Sequence, residues 1–398
     1  MRRTLPACVL AVCILLAACG TQTTLFRKET VTVNGISPHG EAIAGFPIAA
    51  TKNTTRIAGV DPIADAAQVA LAVYPSAAPG THPPVVALAP IDDWQAALAS
   101  AVLMAAPIRA PILLSSSSSL PPVTTQTLNT MAPRGSGASG GAQVIRIGDV
   151  PRTPGMRAVA IHGGGPFAVA AAIDRFASAA AGTASPNVVI ASADQPAYAM
   201  PAAGWAAESG NPILFVTSSS VPVATKQALL AHRSPHIYVL GPPSVIPDSV
   251  LAQLRKYGSV KRVGADDPAA NSVAFTTYRD PPCASGQPCV HVPGSFGWAL
   301  RSPGHGYILV NSSRTLDAAA AAPLSASGSY GPELIVDNAA SLPTPIVNYF
   351  LDYATPGFTQ EGPTAAVYNH GWVVGDESAI SLSVQAEMDT LLEAVPQK

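Results

Sequence analysis

Along the chain, short unbroken hydrophobic runs alternate with alanine-rich stretches, and the alternation recurs three times in one order. Each round opens with a short strand, a glycine-containing turn and an alanine-rich helix. These are residues 55–62 running into 66–70, 160–166 into 170–173, and 261–268 into 272–274. A second strand, a polar turn and another alanine helix follow, at 85–89 before 94–98, 188–191 before 200–203, and 307–310 before 317–320. The third anchor is the clearest: Ala110-Pro111-Ile112-Leu113-Leu114-Ser115 matches Asn211-Pro212-Ile213-Leu214-Phe215-Val216 and Gly331-Pro332-Glu333-Leu334-Ile335-Val336. Each copy leads through Ser-rich or Asn-rich turn residues to Pro121, Pro222 or Pro343, and a proline there suits the first turn of a helix. A fourth strand closes each round, expected at 144–148, 236–241 and 365–369. Helices are expected after it at 247–257 in the second round and 379–392 in the third. In the former, Val250, Leu251, Leu254 and Tyr257 share one face, and Gly258 reads as the C-terminal stop.

Strands that are hydrophobic throughout are covered on both faces, and their alternation with helices means parallel sheets flanked by helices. The predicted fold is therefore α/β, in three tandem modules with parallel sheets. The period of about 100 to 120 residues is too long for a solenoid, so each round is a small module in itself. The boundaries read from the repeat are 53–157, 158–259 and 260–398.

The residues ahead of the repeats carry a different signal. Arg2 and Arg3 precede an uncharged apolar run from Leu5 to Ala18, too short for a comfortable membrane span and flanked as a secretory signal is. It closes with Leu16-Ala17-Ala18-Cys19-Gly20, which resembles the bacterial lipobox, in which small residues admit a signal peptidase and the cysteine sulfur takes a diacylglycerol. Residues 1–18 are then a lipoprotein signal peptide, Cys19 the lipidated N-terminus, and 19–52 the tether, polar from Thr21 to Glu29. An acylated cysteine holds to a bilayer through its buried chains. The expected location is the extracytoplasmic face of the cell membrane.

About 380 residues then remain, 48% of the whole chain is apolar and only 12% charged, so a large core is available. The formal net charge of −2 argues against a nucleic-acid partner. Five cysteines reduce to two once Cys8, Cys13 and Cys19 are assigned to the leader and the lipid. Cys283 and Cys289 sit in a loop-like stretch, and in an exported chain they are expected to form a disulfide. A metal would need two more ligands than His291 alone provides. The eight histidines show no metal spacing, and Pro235 interrupts the helix that would align His232 with His236.

No catalytic constellation is legible. Gly163-Gly164-Gly165-Pro166-Phe167-Ala168 fits a loose dinucleotide fingerprint, but Asp194 lies beyond the tip of the next strand and Pro166 removes an amide from the loop; a tight turn is the simpler reading. The serine runs at 115–119 and 218–220 lack a nucleophile elbow and read as helix-capping loops, with hydroxyls at strand ends that could meet sugars. Arg255, Lys256, Lys261 and Arg262 form the densest basic cluster. It suits an anionic polymer, and equally a helix C-terminus or an ordinary solvated surface.

The order R-x-x-G-x-D, strand and alanine helix, P-I-L-L with Ser or Thr after it, and a strand ending in glycine resembles the cell-wall-binding repeat type 2 modules of bacterial surface proteins. Arg56-Ile57-Ala58-Gly59-Val60-Asp61, Ala110-Pro111-Ile112-Leu113-Leu114 and the helix from Asp317 to Leu324 carry the likeness, which covers nearly all of residues 53–395. It implies Rossmann-like units packed about a pseudo-threefold axis, holding to anionic wall polymer, teichoic-type or another polysaccharide, without a covalent link. It also adds Arg56 and Asp61 to the candidate polymer-binding residues. The arginine that often follows the motif's Asp is absent: Pro62 and Asp267 stand there, and the middle copy has neither Arg nor Asp. The expected function is a non-catalytic envelope lipoprotein, without cofactor or metal, that binds wall polymer or bridges membrane and wall. The alternatives are an exported hydrolase or transferase with its site between modules, and a small-solute-binding lipoprotein.

Overall fold

A computed structural model describes residues 49–282, 294–328 and 330–396. The signal peptide, Cys19, the tether to residue 48, and the Cys283–Cys289 pair lie outside the described residues. No helix among the described residues is long and apolar enough to cross a membrane.

The chain enters on a two-strand hairpin, β1 (Ala49–Ala50) and β2 (Thr54–Ile57). The first round continues with α1 (Pro62–Val73), β3 (Val86–Pro90), α2 (Trp94–Ala99) extended by a 3-10 turn at Ser100–Met104, β4 (Ile112–Ser115), α3 (Pro122–Met131) and β5 (Val144–Ile147). The second runs β6 (Ala158–Ile161), α4 (Pro166–Ala181), β7 (Asn187–Ser192), α5 (Pro196–Ala199), α6 (Pro201–Ser209), β8 (Ile213–Val216), α7 (Val223–Ala231), β9 (His236–Leu240) and α8 (Asp248–Leu254). The third runs β10 (Ser259–Val263), α9 (Pro268–Thr277), β11 (Gly306–Asn311), α10 (Thr315–Ser325), β12 (Glu333–Val336), α11 (Thr344–Tyr349), β13 (Gly357–Phe358), β14 (His370–Val374), α12 (Leu382–Leu391) and β15 (Val395–Pro396).

The repeat in the sheets is out of phase with the repeat in the sequence. The first sheet is ordered β4-β3-β5-β6 and the second β8-β7-β9-β10, and all their pairings are parallel. The third is β12-β11-β14-β2-β1, parallel except for the entering hairpin. The opening strand of every round thus pairs in the sheet of the round before it, and the opening strand of the chain completes the last sheet. The helix after that strand stays with its own round: α1 packs on β4, α4 on β8 and α9 on β12. The boundary at 157/158 therefore falls between hydrogen-bonded strands of a single sheet, and that at 259/260 falls within β10, one residue past its start.

The strands are buried because both faces are covered; β3, β4, β7, β8, β11 and β12 are buried at every position. The alanine helices let this happen three times. α2 with its 3-10 extension, α6 and α10 contact one another, and Ala318–Ala322 of α10 are fully buried. Alanine at these positions lets backbones approach closely while filling the space between them.

The fourth strand of the third round departs from the expectation at 365–369. Residues Pro363–Ala365 form a 3-10 turn, Val367 and Tyr368 are exposed, and the strand is His370–Val374. It ends in Gly375, as β5 ends before Gly148 and β9 before Gly241, and all three glycines have positive φ. Gly258 is also not a helix stop. α8 ends at Leu254, and Gly258 is required because a Cβ there would lie 2.0 Å from the Pro235 carbonyl oxygen.

Candidate functional site

The motif residues come first, because the likeness assigns them to ligand. Arg56 is 2% exposed. Its Nε donates to Gln385 Oε1 at 2.8 Å, Nη1 to the carbonyls of Gly375 (2.9 Å) and Asp376 (3.2 Å), and Nη2 to that of Ser381 (3.2 Å). Burial lowers its pKa, against the pull of Glu377, Asp376 and Asp65. The guanidinium grips the loop that follows β14, so this arginine faces inward. Asp61 caps α1, its Oδ1 accepting from the Ala64 amide at 2.8 Å, and Asp267 does the same for α9 through the Ala270 amide. Gly59 is where a Cβ would lie 2.4 Å from Asp65 Oδ1. The R-x-x-G-x-D pattern is thus a grip, a close approach and an N-cap.

The same grip recurs. Arg262 sits on β10 opposite Val239, as Arg56 sits on β2 opposite Val373. It donates to the carbonyls of Gly241 and Ile246, both at 2.7 Å, and to Asp248 Oδ1 at 2.9 Å, holding the loop after β9. The middle copy has Ala160 at this register. Opposite it on β5 stands Arg146, whose guanidinium reaches the Val150 and Pro151 carbonyls of the loop after β5. The arginine has moved one strand across and kept its task.

The basic cluster divides. Arg255 and Lys256 are exposed on the turn after α8, and neither pairs with an acid among the described residues. Lys261 is exposed and pairs with Asp280 Oδ1 at 2.5 Å. Asp280 also accepts from Tyr238 Oη at 2.6 Å. Partial burial works against the Asp280 carboxylate, but these two donors hold it below the usual range. Arg262 faces the other end of α8, beside Asp248. Four basic residues adjacent in sequence therefore do not form one patch.

Two clusters lie where first and second rounds meet, and where third and first do. A cavity of about 450 Å3 is lined by the end of the first round's 3-10 turn, the C-terminal half of α4 and the end of α6. Asp174 and Ser185 on its wall hold His232: Nε2 lies 2.8 Å from Asp174 Oδ2 and Nδ1 2.7 Å from the Ser185 carbonyl. Both ring nitrogens face acceptors, an arrangement that favours the doubly protonated ring. Burial lowers the His232 pKa, yet the Asp174 and Ser185 contacts outweigh it and the net shift is upward. Ser178 donates to the other oxygen of Asp174 and not to the imidazole. With no free nitrogen, His232 is not placed to activate a nucleophile.

At the other seam, Arg314 Nη2 is 2.6 Å from Asp65 Oδ2, Nε is 2.7 Å from Asp317 Oδ2 but off the hydrogen-bond axis, and Nη1 is 3.5 Å from Asp376 Oδ1. Asp65 and Asp317 are fully buried. Burial pushes Asp317 up to about 7 despite Arg314, and pushes Asp65 well above the usual carboxylate range, with the Asp317 charge adding to it. This acid pair ties α1 to α10 and lacks the exposure a substrate needs. Its signal in the sequence was a single acid in each of two otherwise uncharged helices. The Gly163–Gly165 loop is the tight turn expected: a Cβ at Gly163 would be 2.5 Å from the Val169 nitrogen. The serine hydroxyls at 115–119 and 218–220 mostly bond within their own loops, those of Ser219 and Ser220 with the Thr217 hydroxyl. Among the described residues no three His, Cys, Asp or Glu side chains converge as metal ligands.

The geometry defines a class: tandem Rossmann-like α/β modules with interlocked parallel sheets and a recurring arginine grip. Residues 161–251, which span most of the second round, match the family model Cell wall binding domain 2 (CWB2), the same family the motifs resemble. Among solved structures the chain is similar to Cwp6 from Clostridium difficile, with a TM-score of 0.65 and 16% identity over 86% of this chain and 48% of that one. It is also similar to Cwp8 from Clostridium difficile, with a TM-score of 0.62 and 17% identity over 86% of this chain and 53% of that one. The chain spans about half the length of these structures. No curated protein matches it.

Proposed function

We propose that the protein is a non-catalytic cell-envelope lipoprotein, held to the membrane by lipid on Cys19 and binding cell-wall polymer, so that it bridges membrane and wall. The CWB2 match over residues 161–251 carries this reading. The recurrence of the same strand, helix and grip in the flanking rounds extends it to three modules, and the mutual contact of α2, α6 and α10 favours packing about a pseudo-threefold axis. The engaged nitrogens of His232 and the burial of Asp65 and Asp317 favour a binding role over a catalytic one. The polymer is anionic, of teichoic type or a similar polysaccharide, and Arg255 and Lys256 are its first contacts. Lys261, Arg262, Arg56 and Asp61 support the modules instead.

The test is cosedimentation of a chain beginning at Gly20 with purified wall, before and after anionic polymers are stripped. The expected result is binding that weakens with salt, disappears on stripping and falls in Arg255→Ser/Lys256→Ser. Absence of binding to every wall fraction would overturn the proposal.

A further inference from the structure

The third round carries more chain than the other two, and part of the excess gathers at one end of its sheet. The link from third helix to fourth strand runs from Met131 to Val144 in the first round and from Ala231 to His236 in the second, but from Tyr349 to His370 in the third. The link from first helix to second strand is likewise longest there, from Thr277 to Gly306. The link from Tyr349 to His370 and the last residues of the other, from Leu300 to His305, lead into strand starts and lie at the N-terminal end of the strands; Tyr278, Asp280 and Phe296 pack instead on Tyr238 of the second sheet. The two links are joined: Asn369 Oδ1 accepts from the Gly304 amide at 2.7 Å, Asn369 Nδ2 donates to the Ala354 carbonyl at 2.5 Å, and Tyr349 Oη donates to the Leu300 carbonyl at 3.3 Å. β15 pairs with β13 and adds the end of the described chain.

This end is where exposed apolar surface concentrates. Of nine large apolar side chains exposed among the described residues, five are here: Leu351 (60%), Tyr353 (40%), Val367 (56%), Tyr368 (47%) and Val395. They include both exposed tyrosines in a chain poor in aromatics. The Arg301 guanidinium lies 5.4 Å from the Tyr353 ring centre. Such patches on a soluble body mark contact surfaces. Aliphatic side chains mixed with tyrosine fit the boundary between lipid headgroups and acyl chains, where an apolar ring with a polar tip is at home.

The chain's entry selects the occupant. Although it precedes the first round, the entering hairpin is the edge of the third sheet, next to β14. Its turn meets the same strand ends: Gly371 donates to the Asn53 carbonyl at 2.8 Å, and Asn53 is held by Asp389. Thirty residue steps separate Cys19 from Ala49, so the anchored lipid stays within about 100 Å of this edge whatever path the chain takes. Local charge does not provide the attraction, since Asp352, Glu361, Asp389 and Glu393 outnumber Arg301 and Lys52 at this end.

We infer that the strand-N-terminal end of the third module, centred on Leu351, Tyr353, Val367 and Tyr368, rests on the membrane surface through apolar contact. This rests on the lipoprotein reading for its context, because a lipid anchor raises the effective concentration of membrane and lets a weak patch act. The contact itself is testable without the lipid. The described body forms one compact unit, so a chain beginning at Gly20 retains it. The measurement is flotation of that chain with phosphatidylcholine vesicles at millimolar lipid. Binding is expected to persist in high salt, to fall about tenfold in Leu351→Ser/Tyr353→Ser/Tyr368→Ser, and to be unaffected by Val223→Ser/Leu230→Ser, which removes equally exposed apolar groups from α7. Matching melting curves confirm that the triple variant is folded. No flotation, an equal loss in the α7 variant, or loss of wall binding in the triple variant with flotation unchanged would each overturn the inference. The lipoprotein reading fails separately, if Cys19 carries no lipid in the full-length chain expressed in bacteria.

Discussion

Arg56 decides between two readings of the repeat motif, and its replacement separates them. If the arginine were a ligand contact, Arg56→Met would weaken wall binding and leave the fold intact. The geometry predicts the reverse. Four hydrogen bonds from a buried charged donor are lost, and Gln385 Oε1 and the carbonyls of Gly375, Asp376 and Ser381 lose their guanidinium partner. Hydrogen bonds to a charged group are worth about 1.5–3 kcal/mol each and do not add fully, so a loss of about 3–5 kcal/mol is expected. Because β2 belongs to the third sheet, the loss loosens contact between the first and last rounds. Thermal unfolding of the chain beginning at Gly20 should show a fall in Tm on the order of 5–10 °C. Arg56→Lys should recover only part of it, since one ammonium cannot serve acceptors on both sides of a guanidinium fork. Arg146→Met should behave in the same way through Val150 and Pro151. An unchanged Tm together with lost wall binding would refute the structural reading of the motif.

Two further predictions concern buried ionisable groups. Glu333 takes the place of Ile112 and Ile213 in the third copy, is fully buried, and has no hydrogen-bond partner for either carboxylate oxygen. Burial raises its pKa well above the usual value, so the folded state keeps a proton that the unfolded chain releases above about 4.5, and stability falls as pH rises from there, by up to about 1.4 kcal/mol per pH unit. Glu333→Ile should stabilise the protein by about 1–3 kcal/mol near neutrality, the gain widening with pH in denaturant titrations; a pH-independent gap would contradict the account. His232 has the opposite origin and the same sign. Its folded pKa is raised, so its contribution is complete below about 6.5 and lost as pH rises through the folded value. His232→Gln should cost about 3 kcal/mol at pH 6 and distinctly less at pH 9, and equal costs at both would show that the imidazolium is not the stabilising form.

The sequence made the strands and the three rounds legible, because doubly covered strands leave unbroken hydrophobic runs and alanine marks close helix contacts. It misled where composition was read without partners. Residues 365–369 looked like a strand, yet the last sheet takes His370–Val374, whose following Gly375 accommodates the positive φ that the other two rounds share. Arg255, Lys256, Lys261 and Arg262 looked like one patch, but Lys261 and Arg262 are neighbours on β10 and so point to opposite faces, Lys261 to Asp280 and Arg262 to Asp248 at the far end of α8. The motif arginine looked lost from the middle copy because its replacement, Arg146, comes from the neighbouring strand. Adjacency across a sheet is invisible until the register is known.

The exchange of opening strands has the same origin and a testable consequence. A fragment cut at the sequence boundaries, 158–259, would carry β6 with its partner β5 removed and would lack β10 almost entirely. That exposes the whole length of β9 that pairs with Ser259–Val263, and removes the Arg262 grip on the loop after β9. A fragment of similar length shifted forward, 162–266, keeps all four strands of the second sheet, α4 upon β8, and the grip. Unpaired strand edges invite association, so the first fragment should aggregate or show little amide protection, whereas the second should show protected amides in β7 and β9. Equal protection in both would mean that β10 adds little to its sheet and that the repeat read from the sequence is the true folding unit. The predicted difference instead makes each round depend on the one that follows, with β2, the opening strand of the first round, closing the last sheet. Loss of that strand should then be felt first in the third module, although it lies at the opposite end of the sequence.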